Sequence, residues 1–320
     1  MSRFFSLAAA AAVICCMAGC STKQTPAPRQ QRSKPRIALV MKSLANEFFK
    51  TMEDGARKHQ AQNSAKYELI CNGIKDEGDV TKQIDIVQQM VAQGVDAIVI
   101  APADSKALVS ACKKAQQAGV VVVNIDNKLD AGALKAAGIK VPFVGPDNRK
   151  GARLAGEVLA KQLKPGDQVA IIEGAPNAYN GIQRKLGFAD AMRAAKASVV
   201  SSQTGAWEMG KANQVTSGIV AKYPDIKAIL CANDNMALGA LAAVRSAGKA
   251  GKVKIVGFDN ISAVSDLVKS GEVLATVDQH ADKLAIYGME YALDILGKKE
   301  TPSDRETPVD LVTGPAKETR

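Results

Sequence analysis

Short apolar runs recur along the whole of this 320-residue chain, separated by longer stretches whose apolar residues repeat with helical period. The runs are IALVM (37–41), YELIC (67–71), AIVIAP (97–102), VVVVNI (120–125), PFVG (142–145), QVAIIEG (168–174), SVVSSQ (198–203), AILCAN (228–233), KIVGFD (254–259) and LATVDQ (274–279). Between them, a segment such as DVTKQIDIVQQMVAQG sets Ile84, Val87, Met90 and Val91 on one helical face. Strands that are apolar throughout are buried on both sides, as in parallel sheets whose crossovers are helices. The expected class is therefore α/β. The pattern divides into comparable halves around residues 146 and 279, which predicts two doubly wound parallel-sheet domains in place of one very wide sheet. A chain of 320 residues has room for two such cores, and 47% hydrophobic residues suffice to fill them.

The formal net charge of +10 raises the question of nucleic acid. Basic residues are scattered among acids, and no helix-turn-helix, zinc-finger or RNP-like pattern is present, so no nucleic-acid partner is expected. The charge reads as solubility and affinity for an anionic envelope surface. The first residues, MSRFFSLAAAAAVICCMAGC, put Arg3 before an apolar run too short for a bilayer span, which needs about 20 residues. This is an export segment. Met17, Ala18, Gly19 and Cys20 resemble a bacterial lipobox, with Cys20 acylated as the new N-terminus of a lipoprotein; an ordinary signal peptide cleaved near Ala18 is the alternative. Residues 21–35 are polar and proline-bearing and read as a flexible tether. Cys71, Cys112 and Cys231 lie in apolar runs without metal-ligand spacing, so they are expected to be buried thiols, and no metal site or cofactor is expected.

Ligands of doubly wound sheets bind outside the carboxyl ends of the strands. Those ends carry Asn46 with Phe48 and Phe49, Asp126 with Asn127, Asn233 with Asp234, Asp259 with Asn260, and Gln279. Asp and Asn at such junctions are also preferred helix caps, and for Asp234, before MALGAL, capping is the better reading. Asp126, Asn233, Asp259 and Gln279 are expected to point into the cleft between the domains.

The motifs IALVMKSLANEFF, GVDAIVIAPADS, VVVVNID, QRKLGF, NDNMALGAL, VGFD and ATVDQ, in this order over residues 36 to about 314, resemble the type I periplasmic sugar-binding proteins of bacterial ABC transporters, the ribose-binding members above all. The resemblance implies two domains, 36–145 plus 280–306 and 146–279 plus 307–320, joined by a three-segment hinge that closes on a monosaccharide or polyol. It implies sugar contacts from Asn46, Phe48 and Phe49 of an N-x-F-F motif, from Asp126, from Arg184 four residues before Phe188, from Trp207, and from Asn233, Asp259 and Gln279. Ribose-binding members carry an arginine where this chain has Asn127, and a phenylalanine where it has Trp207, so a hexose or linear polyol is expected to fit better than ribose. A sugar has an apolar C–H face and a rim of hydroxyls, which suits aromatic rings above and below with carboxylates, amides and a guanidinium around them. Beside Lys185, Arg184 also reads as a solvated helix residue.

The resemblance further implies a monomer that is not an enzyme and docks on a membrane permease. A receptor feeding a chemosensor or histidine kinase, or a binder of a furanosyl signal, is the alternative. A Rossmann enzyme would need G-x-G-x-x-G after the first strand, where KSLANEFF stands. A lac-repressor-type regulator, which shares this core, would carry a DNA-binding head in place of an export signal.

Overall fold

The computed structural model describes residues 33–299 and 301–314. The export segment with Cys20, nearly all of the expected tether and residues 315–320 of the expected second domain lie outside the described residues. The chain runs β1 (Arg36–Ser43), α1 (Glu47–Gln62), β2 (Glu68–Ile74), α2 (Val80–Ala92), β3 (Ala97–Ile100), α3 (Leu108–Gln117), β4 (Val121–Ile125), α4 (Ala131–Ala137) and β5 (Phe143–Pro146). It continues with α5 (Asn148–Ala160), β6 (Gln168–Glu173), α6 (Tyr179–Ala194), β7 (Ser198–Thr204), α7 (Met209–Lys222), β8 (Ala228–Cys231), α8 (Asp234–Ser246), β9 (Lys254–Val256), α9 (Ser262–Ser270) and β10 (Ala275–Asp278). The last elements are α10 (Ala281–Leu296), β11 (Arg305–Thr307) and β12 (Asp310–Thr313).

Two sheets result, ordered β2-β1-β3-β4-β5-β11 and β7-β6-β8-β9-β10-β12. The α/β class with two doubly wound parallel sheets, expected from the apolar runs, is borne out. Ile37 to Met41 of β1 are fully buried, as a central strand covered on both faces requires. Helices supply the cover: α10 returns to the first lobe and packs on α1, β3 and β4, while α5 packs on α6 in the second. The α1–α10 crossing is close enough that a Cβ at Gly55 would sit 2.2 Å from the Asp282 carbonyl oxygen.

Two strands were not expected from the runs. β11 (RET) and β12 (DLVT) are short, partly exposed edge strands without an apolar run. β11 extends the first sheet in parallel beside β5, and β12 closes the second antiparallel to β10. Pro146 and Thr307, placed by the sequence with the second domain, are paired with each other at the edge of the first sheet. The chain passes between the sheets three times, after Pro146, through Gln279–His280, and through Pro308–Val309. Among the described residues no helix is long and apolar enough to cross a membrane.

Both sheets share one strand order, so each has its switch point beside its first strand, β1/β3 in one lobe and β6/β8 in the other. Cys112 and Cys231 are buried, Cys71 is half-buried, and all three are unpaired. Burial pushes the Cys112 thiol up to about 12 and the Cys71 thiol up to about 11, and it raises that of Cys231 as well. A disulfide-forming thiol reagent at pH 8 is therefore expected to leave these three cysteines unmodified in the folded protein and to titrate them once guanidinium unfolds it; fast labelling of Cys71, Cys112 or Cys231 in the native protein, read by peptide mapping, would place that thiol at the surface.

Candidate functional site

In the first lobe the carboxyl ends of β1, β2 and β4 and the start of α1 contribute the site. Asn46 caps α1: its side chain accepts from Phe48 N at 3.0 Å, and its Nδ2 donates to Glu77 Oε1 at 3.3 Å. That cap orients the two rings behind it, Phe48 and Phe49, which are buried and meet edge to face at 5.1 Å between centroids. Lys42, the seventh residue of β1, is 4% exposed. Its Nζ lies 3.2 Å from Asp126 Oδ2, 3.8 Å from Glu77 Oε2, and 5.3 Å and 5.4 Å from the ring centroids of Phe49 and Trp207.

The second lobe contributes the ends of β6, β7, β8 and β9 and one helix face. Trp207 rests flat on backbone, and a Cβ at Gly174 would lie 2.1 Å from its indole Cη2. Thr204 fixes this turn by donating to Gly174 O at 2.7 Å and accepting from Ala206 N at 3.0 Å. Arg184 projects inward from α6 and is 2% exposed. Its Nε donates to Asn148 Oδ1 at 2.7 Å and its Nη1 to Ala232 O at 2.9 Å, while its guanidinium stacks 3.7 Å from the Phe258 ring centroid. Asp259 Oδ1 accepts from Arg184 Nη1 at 3.3 Å and from Gln279 Nε2 at 2.7 Å.

These side chains enclose one cavity lined by Lys42, Asn46, Phe48, Phe49, Glu77, Asp126, Asn180, Arg184, Trp207, Asn233, Asp259 and Gln279. The room left among these side chains for a water-sized molecule is about 20 Å³, so an occupant enters only as the lining and the lobes move apart. Two cations face three carboxylates. Burial pushes the Glu77 carboxyl up, against the pull of Lys42, and raises Asp259 to about 8 against the pull of Arg184; burial lowers Arg184 in turn. Each carboxylate already has a cation within 4 Å, so the cavity suits a neutral polar molecule better than an ion. The lining includes no hydroxyl, thiol or imidazole.

Nine of the ten residues expected around a ligand line this cavity. Asn127 does not: its Nδ2 donates to Pro102 O at 2.8 Å and its Oδ1 accepts from Asn180 N at 3.1 Å. The reason is local, since Asp126 takes φ 59° and the chain turns there, sending neighbouring side chains opposite ways. The reading of Arg184 as solvated is corrected by its burial. The capping assignment is also corrected: Asn233 caps α8 by accepting from Met236 N at 2.9 Å, while buried Asp234 accepts from Thr276 Oγ1 at 2.8 Å and Ile261 N at 3.1 Å. Lys42, Glu77 and Asn180 were missed. Lys42 follows IALVM as directly as Asp126 follows VVVVNI, so the strand-end rule applied to every charged residue would have found it; Glu77 lies six residues past YELIC, where the run gives no such signal. Because Trp207 is the only tryptophan and is 4% exposed, Gly174→Ala is expected to push its ring outward and shift its emission to longer wavelength with helix content unchanged; unaltered emission would show that the indole does not lie against Gly174.

A periplasmic binding protein domain matches residues 37–300. The D-ribose/D-allose-binding protein of Pseudomonas aeruginosa is 58% identical over 286 residues, covering 88% of this chain and 90% of that one. A solute-binding protein of an ABC transporter from Burkholderia multivorans superposes with a TM-score of 0.86 at 57% identity, covering 88% of this chain and 100% of that one. One from Actinobacillus succinogenes with bound D-allose gives a TM-score of 0.83 at 39% identity, over 87% of this chain and 97% of that one. The resemblance read from the motifs is thus borne out, and with its two lobes of one strand order meeting at a polar, aromatic-walled cavity the chain belongs to the periplasmic binding protein family.

Proposed function

We propose that this chain captures a single neutral monosaccharide between its lobes and presents it to the permease of an ABC-type importer. One observation carries the reading. Arg184 Nη2 and Gln279 Oε1 are buried without a hydrogen-bond partner among the described residues, as are Glu77 Oε2 and Asp126 Oδ2 apart from their ion pairs with Lys42, and all belong to side chains lining one cavity between Phe48/Phe49 and Trp207. Buried polar atoms are seldom left so, and a ring of hydroxyls would satisfy acceptors and donor alike. The rings would cover the C–H faces of the sugar. Binding, not catalysis, is the role this lining supports, and the related proteins are transport proteins.

Capture requires that the lobes part and close again, and the three crossing segments are where the chain would bend. An aldohexose is the favoured ligand. The preference no longer rests on Asn127, but Trp207 still shapes one wall, and Lys42 adds a donor at the rim. D-Allose leads, given the two relatives bearing its name or the sugar itself. In their pyranose forms D-allose and D-ribose share ring and hydroxyl configuration and differ by one hydroxymethyl group, whereas D-glucose inverts a single hydroxyl of allose. A site that hydrogen-bonds every hydroxyl penalises such an inversion heavily. Family membership implies export to the periplasm; anchoring there through an acylated Cys20 is part of the proposal, and labelled palmitate retained by the wild-type chain but not by Cys20→Ser would support it, while equal labelling would remove it.

Ligand binding to the native state raises its melting temperature by mass action, so a thermal-shift panel of pentoses, hexoses and polyols tests the reading directly. D-Allose is expected to stabilise more than D-ribose and far more than D-glucose. Ribose as the strongest stabiliser sinks the hexose preference; no response to any sugar sinks sugar capture. In calorimetry, Asp259→Ala should weaken the best sugar by about 1–3 kcal/mol, the cost of leaving buried hydroxyls unpaired. Undiminished affinity in that variant would take Asp259 out of the site.

A further inference from the structure

Helix α6 starts without a cap of its own. Its N-cap residue is Ala178, which has no side chain that can accept from the first turn. The first N–H groups of any helix lack intrahelical partners. Here two of them are satisfied from the other lobe: Tyr179 N donates to Ser105 Oγ at 2.9 Å and Asn180 N to Asn127 Oδ1 at 3.1 Å. Ser105 and Asn127 follow β3 and β4 in the first sheet, and α6 follows β6 in the second. The same seam holds two more hydrogen bonds, Ser105 N to Asn177 O at 3.0 Å and Asn177 Nδ2 to Asp104 Oδ2 at 2.7 Å. Neither Ser105 nor Asn127 lines the cavity, although Asn180 does.

We propose that Ser105 and Asn127 are a helix cap supplied across the cleft, a latch that fixes how firmly the lobes close and so scales the affinity for every ligand alike. The inference rests on the reading of capture by closure. Asn127 is fully buried and held by its bond to Pro102 O, and Ser105 Oγ lies 3.3 Å from Asn127 Oδ1, so the acceptors stand ready before α6 arrives. Parting the lobes returns both N–H groups to water; closing them completes the first turn of α6. A residue that touches the ligand discriminates among ligands. One that shifts only the closed population changes all apparent dissociation constants by the same factor. Loss of one side-chain cap acceptor corresponds to roughly two- to thirtyfold in an equilibrium constant.

Ser105→Ala is the cleaner test, because Asn127 also serves Pro102 within its own lobe. Calorimetry with a panel of sugars is expected to show every Kd rising by one common factor, roughly two- to thirtyfold, with the ranking of sugars and the melting temperature of the ligand-free protein unchanged. A second readout needs no sugar. Nitroxides on Lys114→Cys of α3 and Ala221→Cys of α7, both exposed positions, report the distance between lobes. The short-distance population of the ligand-free protein should shrink in Ser105→Ala. Losses that differ from sugar to sugar, or a loss matched by an equal drop in ligand-free stability, overturn the latch, as does an unchanged Kd together with an unchanged distance distribution. Should the wild type bind no sugar, the capture reading fails, and the distance distribution alone decides the latch, a shrinkage supporting it and no change refuting it.

Discussion

The second half of the site depends on one buried guanidinium. Arg184 sits at 2% exposure on α6, where a charge survives only if its surroundings replace water. Four groups from three segments do so: Asn148 at the start of α5, the Ala232 carbonyl after β8, and Asp259 with the Phe258 ring, both after β9. Gln279, at the crossing that leads to α10, joins through Asp259. Removing one member of such a buried pair costs about 3–5 kcal/mol, because the partner is left uncompensated. The strand ends of the second lobe are therefore locked to one another before a ligand is considered, and Arg184 still keeps Nη2 without a partner among the described residues.

Backbone strain gathers in the same place. Among the described residues with positive φ that are not glycine, Asp126, Ala206, Trp207, Asp259, Asn260 and His280 all lie at the cavity or at the crossing beside it. L residues in that region cost free energy, typically 1–3 kcal/mol each, and persist where packing over-determines them. Here the strain has a use: it swings a strand-end side chain out of the pleat and into the space between the sheets. Trp207 shows the compensation, since its ring lies on the bare backbone of Gly174 and Gly181, where a side chain would not fit.

The first lobe solves the complementary problem with charge. Lys42 stands between Asp126 and Glu77 and over Phe49, and it reaches the Trp207 ring of the other lobe. One ammonium thereby pairs with two acids and faces both aromatic walls. Glu47 on the first turn of α1 adds a tie at another point of the seam, accepting from Ser262 N of α9 at 2.7 Å. Together with the α6 cap, the lobes meet through protein groups on more than one side of the cavity, and closure is not left to a ligand alone.

Much of this was legible in the chain. Apolar runs separated by helical periods fixed the class, and the parallel order of the sheets fixed where a site must lie, so polar and aromatic residues just past the runs could be named: Asn46, Phe48, Phe49, Asp126, Asn233, Asp259 and Gln279. The distribution of roles between adjacent residues was not legible. Asp126 faces the cavity and Asn127 the seam; Asn233 caps and lines while Asp234 braces Thr276 and Ile261. Each of these pairs is two polar residues in a row, and which one turns inward depends on the local φ and on the packing that enforces it, such as φ 59° at Asp126. Strand periodicity carries no record of that choice, because it is made after the strand ends. Likewise the edge strands β11 and β12 take their place through pairing partners more than 150 residues away for β11 and across a turned chain for β12. Local sequence determined which residues could form a site; only the meeting of two sheets decided which of them do.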